Sequence, residues 1–225
     1  VPIDLWVETT TPYFAAGELN DMKDVGGVNT FGEINLRGPG SNGQTSSVGL
    51  RFTFKRNDNG AEVTVPWMQF TLFDFDHNMN DGTRGQECAT VSGFVDYALS
   101  SGGGSTASPV TTTVITMHIS NGVVSCRGNN GCNAIDVDND PANDGATNTG
   151  KWCSGIGGVG NDIRNNPLVL TDDEKAKAVS FFFRDFSTFE MEFAVADVRS
   201  GRNFEFAGEA AIIARCPAPP IPLLP

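Results

Sequence analysis

Residues 48–56 read VGLRFTFKR and residues 188–196 read TFEMEFAVA, and in both stretches apolar and polar side chains alternate with a period of two. Successive side chains of a β-strand point to opposite faces, so each stretch predicts an antiparallel strand with one buried face. Further segments of this kind are separated by Gly-, Asn- and Asp-rich turns such as RNDNGAE (56–62) and SSGGGS (100–105). The sequence therefore predicts an all-β fold, an antiparallel sandwich of jelly-roll type, with a barrel as the second choice.

One domain is predicted over 1–216, followed by an extended proline-rich tail over 217–225. One short helix is predicted near 172–178, because Thr171 and Glu174 form a capping box with acidic residues in the first turn. A long loop rich in Asn, Gly and Asp is predicted over 128–166. Eight phenylalanines are predicted to fill the core: Phe181, Phe182, Phe183, Phe186, Phe189, Phe193, Phe204 and Phe206.

Charge excludes one class of partner and favours another. The 225 residues contain 27 acidic and 15 basic side chains, for a formal net charge of −12. Without clustered Lys and Arg, a nucleic-acid partner is not expected, whereas binding of divalent cations is compatible with the acidic excess. No apolar run approaches the about 18 residues of a membrane span, so none is expected. The first residue is Val1 rather than methionine, which fits removal of a targeting segment, although a chain cut from a longer one would begin in the same way.

The five cysteines predict at least one disulfide and hence an oxidising compartment. Cys126 and Cys132 flank the short polar loop RGNNG and are the candidate pair. Reduced structural thiols are the alternative. A zinc site is not expected, because no C-x-x-C pair occurs and the two histidines are isolated.

The stretch FTLFDFDHNMNDGTRGQE (70–87) predicts a calcium site at the end of a strand. Two carboxylates that neighbour each other where an apolar strand ends repel one another, and a hard cation with about six to eight oxygen ligands relieves that repulsion. The spacing nearly matches an EF-hand loop, but an aspartate replaces the required glycine and a strand precedes the loop. The alternative is a solvated loop whose aspartates cap turn amides. The candidate ligands are Asp74, Asp76, Asn78, Asn80, Asp81 and Glu87.

Two weaker site candidates lie in the predicted long loop. Asp136, Asp138 and Asp140 alternate like the start of a calcium loop, but a flexible acidic loop is the favoured interpretation. Trp152 could stack on a sugar ring, but a role as a loop anchor is the favoured interpretation. No nucleophile motif accompanies either histidine, and enzymatic activity is not expected, although two placed carboxylates would suffice for glycoside hydrolysis.

Four motifs together resemble a pattern of secreted or lumenal β-rich proteins of marine algae and related protists. They are FTLFDFD, TVSGF, LTDDEKAKAVSFFF and GRNFEFAG, which span 70–208 apart from the insert at 128–166. The resemblance implies an exported β domain and carries no activity with it.

These observations favour a non-catalytic, exported, calcium-binding β-sandwich with a structural or adhesive role. We expect it to assemble with copies of itself or with other structural proteins, outside the cell or in an organelle lumen. A calcium-dependent carbohydrate-binding module is the alternative, and an enzyme acting on polysaccharides is the third hypothesis.

Overall fold

The computed structural model describes residues 2–17, 20–24, 29–40, 45–75, 77–78, 85–99, 115–119, 124–125, 148–154, 157–158, 171, 174, 177–196 and 201–211. Those residues form fifteen strands. In chain order they are β1 (Ile3–Thr9), β2 (Asp21–Asp24), β3 (Asn29–Leu36), β4 (Thr45–Arg56), β5 (Val65–Phe73), β6 (His77–Asn78), β7 (Glu87–Phe94), β8 (Asp96–Leu99), β9 (Ile115–Ile119), β10 (Val124–Ser125), β11 (Asn148–Ser154), β12 (Gly157–Gly158), β13 (Val179–Phe186), β14 (Thr188–Ala196) and β15 (Arg202–Ala211).

Two antiparallel sheets packed against each other make up the fold, which confirms the predicted all-β sandwich. Sheet A has the order β1-β4-β14-β7-β11-β9-β10, and sheet B has the order β2-β3-β15-β5-β13-β8. A small parallel pair, β6 with β12, stands apart from both. The described residues include no helix with the length and hydropathy that a membrane span requires.

The strand order within the two sheets is that of a jelly roll. β4-β14-β7-β11 in sheet A and β5-β13-β8 in sheet B reproduce seven of the eight strands of that fold. Along the chain, β4, β5, β7 and β8 fall alternately in the two sheets, and so do β13 and β14. Each sheet is therefore assembled from strands that are distant in sequence.

The apolar faces of the two sheets meet in an aromatic core. The alternation predicted for 48–56 and 188–196 is confirmed, because the apolar side chains of both stretches are buried and Glu190 and Glu192 are exposed. Phe52 stacks on Phe189 within sheet A, with ring centroids 4.7 Å apart. Phe193 of sheet A stacks on Phe204 of sheet B at 4.5 Å, so ring contacts join the two sheets directly.

One of the eight predicted core phenylalanines lies outside the core. Phe181 and Phe183 are fully buried between the sheets, whereas Phe182 is half-buried on the opposite face of sheet B. Three consecutive phenylalanines in a strand cannot share a face, because the side chains alternate. The middle ring must therefore point away from the core.

The prediction of a continuous loop over 128–166 is wrong for its central part. Residues 148–154 form β11, which lies inside sheet A between β7 and β9. The remainder of the predicted loop, apart from β12, lies outside the described residues.

Of the predicted helix over 172–178, the structure describes Glu174, which is helical, together with Lys177 and Ala178. The capping box is formed, since the backbone N–H and the hydroxyl of Thr171 donate to Glu174 Oε2 at 2.7 and 2.8 Å.

Candidate functional site

The described residues that flank the predicted calcium loop lie where β5 ends and β7 begins. β5 ends at Phe73, and Asp74 then adopts a left-handed backbone conformation with a φ of 50°. Aspartate tolerates this conformation better than most residues. The chain turns there, and Phe75 is fully buried in the core. The sequence predicts that Asp74 and Asp76 share one face of a strand that continues beyond Phe73, but the strand ends at Phe73 and the chain turns at Asp74.

The turn at Asp74 is held by the segment that leads into β13. The backbone N–H of Phe75 donates to the carbonyl of Lys177 at 3.0 Å. Lys177 Nζ lies 3.7 Å from Asp74 Oδ1, and both side chains are largely buried at 15% and 16% exposure. One predicted ligand of calcium thus already has a cation of the protein beside it.

Glu87 is in a similar position on the other side of the loop. It is 3% exposed and pairs in register with the core residue Val195, so its side chain points between the sheets. Arg202 projects from the inner face of sheet B, since it alternates with the core residue Phe204, and its Nε lies 3.7 Å from Glu87 Oε1. This ion pair joins the two sheets at one end of the sandwich.

The start of β7 is shaped to receive the guanidinium of Arg202. Gly85 has a φ of 70°, and a Cβ built on it would lie 2.5 Å from Arg202 Nη2. The N–H of Gly85 donates to the carbonyl of Ala196 at 2.7 Å. Only glycine combines this backbone conformation with so close an approach. A side chain at position 85 would therefore strain the backbone and meet the guanidinium of Arg202.

Ser154, at the end of β11, ties that strand to the same corner. The N–H of Glu87 donates to Ser154 Oγ at 3.1 Å, and Gln86 Nε2 donates to the Ser154 carbonyl at 2.8 Å. Just beyond, β12 pairs with β6 and so brings 157–158 next to His77 and Asn78. The corner thus collects segments that are far apart in the sequence.

Of the six predicted calcium ligands, the structure describes the side chains of Asp74 and Glu87, and each lies beside a cation of the protein. Calcium at either carboxylate would compete with that cation. No group of three or more His, Cys, Asp or Glu side chains that could hold a metal occurs in the described part of the chain. Asp76, Asn80 and Asp81 lie outside the described residues, and Asn78 is placed only by its backbone. The second candidate, Asp136, Asp138 and Asp140, also lies outside them.

Trp152 is not placed to stack on a sugar ring, which leaves the favoured interpretation of it as an anchor. Its side chain is fully buried, with ring centroids 5.3 Å from Phe94, 5.4 Å from Tyr97 and 4.7 Å from Phe181. A ring that contacts solvent nowhere cannot serve as a platform for a ligand. Trp152 instead fixes β11 to the core.

A disulfide is present, as predicted, between Cys88 of β7 and Cys153 of β11. The two residues are directly opposite in the register, with Cα atoms 4.1 Å apart and a sequence separation of 65. Both side chains are buried next to Ala194, in a cluster separate from the main core. Cys126 and Cys132, the candidate pair of the sequence analysis, lie outside the described residues.

Fold and corner together define a disulfide-containing all-β sandwich whose sheets are joined by a largely buried ion pair. Comparison with known proteins adds no family to this class: no protein-family model, no curated protein and no solved structure matches the chain.

Proposed function

We propose that this chain is a non-catalytic β-sandwich with a structural or adhesive role in an extracellular space or an organelle lumen. The observation that carries the proposal is the Cys88–Cys153 disulfide, which fastens two interior strands of sheet A. Structural disulfides of this kind persist in oxidising compartments and are rare in the cytosol. The resemblance to exported β-rich proteins supports the same location.

Buried charges at the loop corner support the structural part of the proposal. Asp74 and Glu87 lie beside Lys177 and Arg202, and the second pair spans the two sheets. A carboxylate can remain buried in a folded protein when a cation lies beside it. The buried carboxylates of the loop corner thus have a structural explanation.

Self-assembly is the part of the proposal that a solution experiment tests directly. We expect the mass measured by sedimentation velocity to rise with protein concentration for the full chain. A chain ending at Cys216, without the proline-rich tail of 217–225, is expected to remain smaller at every concentration. An extended proline-rich segment loses little conformational freedom when it lies on a neighbouring molecule.

The matched control for this experiment is a chain whose tail has the same composition in scrambled order. Equal masses for the full, truncated and scrambled chains at all concentrations would contradict assembly through the tail.

We also propose that calcium binds within 76–81, through Asp76, Asn78, Asn80 and Asp81. What supports it is the density of hard oxygen ligands in that stretch. Asp74 and Glu87 are left out of the ligand set, because cations of the protein neighbour them.

Calcium is expected to raise the melting temperature relative to the same protein in EDTA. At a calcium concentration about 100 times Kd, linkage gives about 2.7 kcal/mol, or about 5–10 °C for a domain of this size. The double variant Asp76→Asn with Asp81→Asn should lose the difference between calcium and EDTA. Asp58→Asn, which alters an exposed carboxylate paired with Arg56, should keep it.

Asp74→Asn distinguishes the structural role of the loop corner from calcium binding within 76–81. Asparagine also tolerates the left-handed backbone, so the variant removes mainly the charge beside Lys177. It should lower the melting temperature equally in calcium and in EDTA. If the melting temperature of the unaltered chain is the same in calcium and in EDTA, the calcium proposal is refuted and the structural role is not affected.

A further inference from the structure

The outer face of sheet B carries a patch in which aromatic and polar side chains are neighbours. We call Trp67, Gln69, Thr71, Ser180 and Phe182 the sheet B patch. They come from the adjacent strands β5 and β13, at positions that alternate with the buried core residues of both strands. The patch is therefore a contiguous surface on the side of sheet B that faces away from sheet A.

The two rings of the patch lie next to each other and are partly exposed. Trp67 and Phe182 are diagonal neighbours across the strand pair, with centroids 6.1 Å apart and planes inclined at 33°. Both are half-buried, so one side of each ring is supported by the sheet. A pair of partly exposed aromatic rings on a sheet face can serve as a binding surface. Trp6 offers a contrast, because Lys55 Nζ lies 4.7 Å from its ring centroid and covers one face.

Polar groups adjoin these rings in an ordered arrangement. Gln69 Nε2 donates to Ser180 Oγ at 3.1 Å and to Thr71 Oγ1 at 3.3 Å, and the two hydroxyls lie 2.8 Å apart. These bonds fix the orientation of the Gln69 amide. Among the described residues, none donates to Gln69 Oε1 and none accepts from the indole N–H of Trp67. The patch therefore offers a ligand one acceptor, Gln69 Oε1, and one donor, the indole N–H of Trp67.

We infer that the sheet B patch binds a neutral pyranose glycan, and thereby supplies the ligand for the adhesive role on which this inference rests. A pyranose ring presents C–H groups on its faces and hydroxyls at its rim. The C–H groups pack against the electron-rich faces of aromatic rings, while the hydroxyls exchange hydrogen bonds with an amide oxygen and an indole N–H. The five patch residues are uncharged, and the exposed Arg184 lies opposite Trp67 in the register. The net charge of −12 disfavours an anionic polymer.

Affinity gel electrophoresis of the full chain tests this inference. The probes are xyloglucan, a soluble β-1,3-glucan and galactomannan as neutral polysaccharides, with alginate as the anionic comparator. We expect at least one neutral polysaccharide to retard the chain, and we expect the same retardation in EDTA. Trp67→Ala and Phe182→Ala should each weaken binding by about tenfold or more, because each removes one of the two aromatic faces on which the sugar packs. Trp6→Ala, which removes the exposed tryptophan on the other sheet, should leave retardation unchanged.

Several outcomes would overturn the inference, and each is distinct from failure of the structural role. Retardation by none of the neutral polysaccharides, or by alginate alone through the nearby exposed Arg184, would refute it. Retardation that disappears in EDTA would place the sugar at the calcium loop instead. If Trp67→Ala leaves the gels unaffected and lowers the sedimenting mass, the patch is a protein contact. A circular dichroism spectrum and urea midpoint near those of the unaltered chain show that each variant is folded.

Discussion

Replacing Trp152 with alanine is expected to lower the free energy of unfolding by about 3–5 kcal/mol, the cost of removing a fully buried aromatic side chain. The side chain has no solvent exposure and contacts three other rings, two of which, Tyr97 and Phe181, belong to the opposite sheet. Gly150 adds to the constraint, because a Cβ at that position would collide with the tryptophan ring. The cavity left by the alanine variant would remove the contacts that hold β11 against the core and against sheet B. Urea unfolding followed by circular dichroism measures the loss.

Trp6→Ala is the matched control for this prediction. Trp6 is 49% exposed on the edge strand β1, so its removal should cost less than about 1 kcal/mol. If the two variants unfold at the same urea concentration, the burial of Trp152 described above is wrong. The near-ultraviolet circular dichroism spectrum gives a second readout, since a tryptophan packed among fixed rings contributes to it and an exposed one does so weakly.

The double variant Cys88→Ser with Cys153→Ser is expected to lose about 4 kcal/mol of stability. The bond closes a loop of sequence separation 65, and in the chain-entropy account a loop of that length restricts the unfolded chain by about this amount. Cysteine is also replaced by a more polar side chain in a buried cluster, which adds to the loss in the folded state. The measurement is the urea midpoint of the oxidised chain against that of the variant.

A reducing agent provides the control, because it should bring the unaltered chain to the stability of the double variant. The variant itself should not respond to the reducing agent if Cys88–Cys153 is the disulfide that matters for stability. A further fall in its midpoint would show a second bond, for which Cys126 and Cys132 are the predicted pair. Equal midpoints for oxidised chain and variant would contradict a stabilising role for the bond.

The sequence predicted the fold class because its strongest patterns are local. The period-two alternation of β4 and β14 needs no knowledge of their neighbours, and the two strands lie side by side in sheet A. The capping box at Thr171 and Glu174 was likewise visible in four consecutive residues. Phe182 could have been placed correctly from the same rule, since alternation alone puts it opposite Phe181 and Phe183.

The loop corner could not be predicted, because it depends on partners that are distant in sequence. Glu87 is neutralised by Arg202, and Asp74 by Lys177, more than 100 residues further along the chain in each case. Nothing local distinguishes these carboxylates from calcium ligands. The left-handed turn at Asp74 also ended the alternation earlier than the aromatic pattern indicated. The strand that contains Trp152 was missed for a related reason. The Asn- and Gly-rich sequence around it gives no strand pattern, and its apolar partners lie in β7, β8 and β13.

The exchange of the chain between the two sheets has a kinetic consequence. β14 lies between β4 and β7, so sheet A cannot be completed until residues 188–196 have left the ribosome. Topologies dominated by such distant pairings fold slowly, on a scale of about milliseconds to seconds. Both cysteines of the disulfide precede β14 in the chain, so Cys88 and Cys153 are synthesised before the strand that completes their sheet.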